Sequence, residues 1–161
     1  MPRKKKNPTI SREEFVGDLR SLLGTPFGHQ GRGDVLDCGG IVLFAARKWG
    51  FTDLEVLGYA RYPTDGEFER LLGEHTDFVS DHRWPFEFTG EELRPGDLMS
   101  FDYGNGEGTR HVSFISGFDR GRYRIIEAQP DYGVCEHAIA PPFVKRMTTL
   151  KGWSLRRYFG D

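Results

Sequence analysis

Cysteine is scarce in this chain, two residues among 161, and that scarcity excludes two architectures. Two thiols do not make the disulfide framework of a small secreted domain. Nor do Cys38 and Cys135 make a zinc site, because each stands alone with no C-x-x-C or H-x-x-x-H partner spacing nearby. Long apolar runs are also missing. No stretch of about 18 apolar residues offers a membrane span, and the basic start is followed by no apolar h-region of a secretory leader. An excess of one charge is lacking as well: 22 Lys and Arg stand against 24 Asp and Glu, a net charge of −2. Nothing in that total points to nucleic acid or another polyanion as partner. The expectation is a protein made and kept in the cytoplasm, unless something other than its own leader carries it out.

What is present argues for a packed core. Apolar residues make up 37 % of the chain and aromatics 14 %, with 13 Phe, a composition of globular rather than disordered proteins. The length fits one domain and leaves no room for a second. Residues 1–9, with Arg3, Lys4, Lys5 and Lys6 between Pro2 and Pro8, read as a solvated, mobile basic arm. Its use as a tether to an anionic surface is the less common alternative for such a run. Residues 10–161 then form the domain.

The first half of that domain reads as helical. Ser11 and Glu14 have the form of a capping box, and Phe15, Leu19, Leu22 and Leu23 follow at helical spacing until Gly24 and Pro26. A loop, TPFGHQGRGDVL, leads to Asp37, a candidate N-cap for a helix starting at Cys38 whose apolar face carries Ile41, Val42, Phe44, Ala45 and Trp49. A third helix is expected from Thr64, with Glu67 as capping partner and Phe68, Leu71 and Leu72 inside. The second half changes period. ELRPGDLMSF reads as a turn feeding a strand, and HVSFISG, RYRIIEA, GVCEHAI and KGWSLRRYF read as further strands. Helices first and antiparallel strands after them imply an α+β domain, the helices packed on one side of a small sheet.

Cys38 is the first candidate for chemistry. A helix N-terminus carries about half a positive charge and unpaired amides, which stabilise a thiolate in the first turn, so this thiol is expected to be acidified into a nucleophile. Gly39 and Gly40 leave room for a substrate at the helix mouth. The bland alternative, a well-packed small residue, weighs about equally at this point.

A base must come from five histidines. His75 ends a helix and His82 lies in the polar DHRW, both places for solvated residues. His29 lies in the loop ahead of Cys38 and is positioned to line a cleft. His137 stands late in a short strand beside Glu136 and is expected to be exposed. His111 differs, because it opens an apolar strand directly after a glycine-rich loop. If HVSFISG and RYRIIEA pair as a hairpin, Glu127 falls near His111, with Gln129 on the same face as the alternative group to orient the imidazole. Cys135 reads as a sheet residue without catalytic duty, although a bridge from it to Cys38 would silence the site.

These stretches resemble a known family. DCGGIVLFAARKWG is similar to the Asp-Cys-Ser-Gly helix start of the NlpC-type cell-wall peptidases, a papain-like cysteine peptidase group. LRPGDLMSF and HVSFISG resemble that family's Pro-Gly-Asp strand and histidine strand, and GTPFGHQGRG resembles the loop before its cysteine. GHQGRG, IIEA and GVCEH are nearest to the branch found in phage tail and prophage gene clusters. The likeness runs from about Gly24 to Ala138. It implies a papain-like α+β fold, with Cys38 as nucleophile, His111 as general base and Glu127 as orienting residue where many members have a second histidine. Phe27 stands where the family commonly has tyrosine and Gly39 where it has serine. Phe27, His29, Asp37, Gly39 and Gln129 are the residues expected around the substrate.

The activity implied is hydrolysis of an amide in the peptide stem of peptidoglycan, commonly the D-γ-glutamyl-diaminopimelate bond, through a thioester and without metal or organic cofactor. Delivery by a phage particle, with phage tail proteins as partners, suits a chain without a leader, and recycling of wall fragments inside the cell suits it equally. Two rivals remain open. One is acyl transfer or deamidation on the same residues, and the other is a wall-binding or tail-tip module with a weakened site.

Overall fold

The structure is a computed structural model that describes residues 10–31, 33–52, 66–83, 86–102, 109–139 and 149–161, with 109 and 110 described by backbone alone. The basic arm 1–9, Thr64 and the loop 103–108 lie outside these residues. Helix α1 (Arg12–Arg20) begins where its cap residue predicts: Ser11 is extended and its hydroxyl accepts a hydrogen bond from the Glu14 amide at 3.1 Å. It stops short of Leu22 and Leu23. The Ser21 hydroxyl donates back to the Asp18 carbonyl, which competes with the helical pattern, and Leu23 is left 42 % exposed.

Helix α2 (Cys38–Lys48) has Asp37 as its N-cap, as expected. Helix α3 (Glu67–His75) starts later than the sequence suggests: Glu67 is its first residue, and the preceding Gly66, at φ 75°, caps without a side-chain bond. A left-handed residue at that point suits glycine.

Six strands follow: β1 (Asp77–Arg83), β2 (Leu98–Asp102), β3 (Thr109–Asp119), β4 (Arg122–Gln129), β5 (Gly133–Ala138) and β6 (Thr149–Ser154). They form one antiparallel sheet in the order β1-β6-β2-β3-β4-β5. KGWSLRRYF is not one strand, because β6 ends at Ser154 and α4 (Arg156–Phe159) takes up RRYF. Strand β1 has no counterpart in the sequence reading. It is an edge strand with Phe78 and Val79 exposed and a bulge between Phe78 and Ser80, so no alternating apolar signal announces it. His82, expected in a solvated loop, sits in this strand with its ring 4.9 Å from that of Phe88 and its Nε2 buried.

Alternate side chains of the strands go to two cores. Leu98, Phe114 and Ile126 join Phe15, Leu19 and Ile41 of the helices in the first. Met99, Ile115, Tyr123, Ile125 and Leu150 form the second, where Phe86 and Phe88 pack. Phe86 and Phe88 thus cover this face of the sheet. Apolar burial on both faces, at roughly 25 cal/mol per Å², holds the strands whose ends carry the polar groups described below.

One motif locks the two ends of the domain to the sheet. Asp97, 2 % exposed, follows the Pro95-Gly96 turn, in which Gly96 has φ 91°. Its carboxylate accepts from the Arg94 and Leu155 amides, each at 2.9 Å, and from Arg12 Nη1 at 2.8 Å. Arg12 also pairs with Asp161 at 2.7 Å and lies 4.6 Å over the Phe159 ring.

Candidate functional site

Strands β3 and β4 are joined by the two-residue turn Arg120-Gly121, with φ of 53° and 76°. Positive φ at both positions is the geometry of the type I′ hairpin turn, whose twist matches that of the strands. The turn sets Asp119 opposite Arg122, and a bulge between Ile115 and Gly117 then shifts the pairing by one residue, so that Phe114 meets Ile126. Continued outward, this pairing sets Ser113 opposite Glu127 and makes His111 the diagonal neighbour, within reach of a long side chain. His111 Nε2 lies 2.5 Å from Glu127 Oε2, and the Ser113 hydroxyl donates to the same oxygen at 2.8 Å.

The other oxygen, Oε1, accepts from the Gln129 amide and lies 2.7 Å from His137 Nε2. Cys135 is paired directly with Glu127 across β4 and β5, and His137 follows it on the same face. His137, expected to be exposed, is instead part of the site, with its side chain 30 % exposed. Neither Ser113 nor His137 stood out in the sequence. Their signal was parity: once the hairpin register is fixed, positions 113, 135 and 137 share the face of Glu127.

Cys38 comes to this row from the mouth of α2. It is a free, half-buried thiol near enough to the His111 ring to help raise its pKa. Since Nε2 of that ring is engaged by Glu127, Nδ1 is the nitrogen left for the sulfur. Asp37 is 3 % exposed and holds the approach: Oδ1 accepts from the Gly40 amide at 2.7 Å and Oδ2 from the Gln30 amide at 2.6 Å. One carboxylate thus caps the helix and pins the loop before it.

Glu127 is fully buried. Burial works against its charged form, but the fields and hydrogen bonds of His111 and His137 outweigh that and hold its carboxyl well below the usual carboxylate range. For His111, burial disfavours the imidazolium, and the Glu127 carboxylate, helped by Cys38, overcomes this and raises its pKa well above the ordinary 6.5. The hydrogen bond to Glu127 raises that of His137. Burial pushes the Cys135 thiol up, and the Glu127 charge adds to the effect.

Glu127, Cys135 and His137 present ligand-type atoms within 4.8 Å of one another. In this arrangement the carboxylate accepts from four donors, and burial and the Glu127 charge raise the pKa of the thiol.

The residues expected around the substrate divide. Gln129 touches Glu127 rather than His111. His29 is 38 % exposed, 3.5 Å from Asp37, at the loop before the thiol. Phe27 bridges to Leu36 and packs on the first core. Asp37 is buried as cap and clamp, and Gly39 is buried beside the apolar pocket between α2 and α3, so neither lies open at the helix mouth.

No protein-family model and no curated protein matches the chain. Solved structures do. The chain is similar to the NlpC/p60 domain of the peptidoglycan hydrolase SagA, at 19 % identity and a TM-score of 0.55, covering 91 % of this chain and 100 % of that one. It is also similar to an NlpC/p60 family protein from Bacillus cereus ATCC 10987, at 18 % identity and a TM-score of 0.58, covering 91 % of this chain and 41 % of that one. The chain therefore spans about two-fifths of the length of the second protein. Helices, an antiparallel sheet and these likenesses lead to one conclusion: the chain has the NlpC/p60 fold.

Proposed function

We propose that this protein is a thiol hydrolase that cuts an amide bond in the stem peptide of peptidoglycan. A single observation carries the reading. A half-buried thiol at a helix mouth meets a histidine whose far nitrogen is held by a buried carboxylate.

With Nε2–H fixed on Glu127, Nδ1 of His111 takes the proton of Cys38, and the sulfur attacks the amide carbon. The carbonyl oxygen becomes an oxyanion. The Gly40 amide is taken by Asp37, so the amide that opens α2 at Cys38 is the helix donor for that oxygen. Collapse breaks the C–N bond, and His111 returns the proton to the leaving amine. Water, deprotonated by His111, then hydrolyses the thioester and frees the thiol. Glu127 stabilises the imidazolium at both stages.

The wall substrate is supported by the activity of one structural neighbour, a peptidoglycan hydrolase. The finer choice of the D-γ-glutamyl-diaminopimelate bond rests on the sequence resemblance. Digestion of purified peptidoglycan followed by mass analysis of the fragments tests both. Soluble stem-peptide fragments are expected from the wild type, and Cys38→Ala should lower their release by about 10⁴-fold or more. Cleavage that persists in this variant removes Cys38 from the mechanism.

A further inference from the structure

The reading above uses one side of Glu127, and the other side carries a group without an assigned task. His137 Nε2 is 2.7 Å from Glu127 Oε1, and its Nδ1 is 3.0 Å from the Ala138 carbonyl oxygen. A carbonyl oxygen only accepts, and so does an ionised carboxylate. The Gln129 amide nitrogen also lies 3.4 Å from Nε2, but the carboxylate oxygen at 2.7 Å is the dominant partner, so both ring nitrogens donate. A neutral imidazole has one N–H and would face one of these oxygens with a lone pair; an imidazolium satisfies both.

We propose that His137 is a positioning residue of the Cys38 site, held as an imidazolium between two oxygen acceptors and clamping Glu127 so that its other oxygen stays on His111. With Gln129 also donating to Oε1, and His111 and Ser113 on Oε2, each carboxylate oxygen has two donors. The carboxylate cannot turn without losing bonds on both sides.

Glu127 favours the charge on His137, and His111, on β3, opposes it. Cys135, on the same face of β5, keeps its proton. Glu136 points to the alternate face, where it pairs with Arg20 at 3.0 Å and lies 4.0 Å from Arg124. The balance leaves His137 with a raised pKa, in agreement with the two-acceptor geometry.

This inference rests on the proposed hydrolase only for its consequence on rate, and its first test needs no substrate. In ¹⁵N-histidine-labelled protein, assigned with His137→Gln, both His137 ring nitrogens should carry protons well above the ordinary histidine pKa of about 6.5. A neutral ring with a single N–H there overturns the proposal. In His137→Leu the His111 titration should move to higher pH, because a neighbouring cation has gone and the carboxylate has lost a donor; no movement, or a downward one, also overturns it. On peptidoglycan, His137→Leu should lower kcat/KM by roughly 10- to 100-fold, the worth of a hydrogen bond to a charged group. His137→Gln, which keeps a donor, should recover most of that loss. If Leu restores and Gln does not, His137 is packing alone. Should wild-type protein cleave nothing, the hydrolase reading fails while the spectra still decide the state of His137.

Discussion

Asp97 and Glu127 are both enclosed carboxylates, at 2 % and 0 % exposure, yet they keep different company. Asp97 is held by backbone amides and by the Arg12 guanidinium, partners that keep their protons at any ordinary pH. Glu127 is held by two imidazoles, a hydroxyl and an amide. Half of its partners titrate. The same buried charge is a fixed rivet in one place and a movable proton's counterweight in the other, and the donors decide which.

That contrast can be broken from either end. The largest effect is expected for Glu127→Gln, which keeps the shape and removes the charge that stabilises the His111 imidazolium. Peptidoglycan turnover should fall by about 10²–10⁴-fold with little change in the far-ultraviolet circular dichroism spectrum. Turnover within threefold of wild type would place the orienting role elsewhere. Asp97→Ala should do the reverse, leaving the Arg12 charge buried without its main partner. A loss of about 3–5 kcal/mol in denaturant unfolding is expected, while the folded fraction keeps its turnover per molecule.

A smaller effect sharpens the comparison through pH. His111 and His137 have folded pKa values raised above the ordinary 6.5. Their stabilisation is complete below 6.5 and drains away as the pH climbs to the folded values. Glu127 has a lowered pKa, so its share is complete above the ordinary 4.5 and drains away as the pH falls below it. Unfolding free energy should therefore decline on both sides of the window from 4.5 to 6.5. Glu127→Gln should flatten both limbs, and Asp97→Asn should leave the alkaline limb unchanged because its guanidinium partner does not titrate there. An alkaline limb of equal slope in Glu127→Gln would detach the two histidines from this carboxylate.

How much of this was legible beforehand follows from where each signal lies. The caps at Ser11 and Asp37 were local, three residues from the amides they bind, and could be read directly. So could the Pro95-Gly96 turn and the paired arms of the β3–β4 hairpin. Strand β1 was invisible because an exposed edge strand needs no apolar alternation, and α4 because RRYF is too short to show a helical period. His137 was misjudged for a different reason. Its neighbour Glu136 faces Arg20 at the surface, which suggested exposure for both, but successive strand residues face opposite ways. The helix-mouth glycines were expected to open the thiol to substrate, yet Gly39 lies on the buried side of α2. Composition gives no hint of which side of a helical turn faces inward.

The Arg120-Gly121 turn has an influence out of proportion to its size and distance. With the bulge between Ile115 and Gly117 it sets the phase of two strands, and the residues of the candidate site sit at their far ends. One residue inserted there would carry Glu127 from the face of His111 to the face of Phe114, leaving an uncompensated charge in apolar packing and an imidazole with nothing to hold it. Alignment of the candidate site is thus decided by a turn and a bulge that lie apart from it.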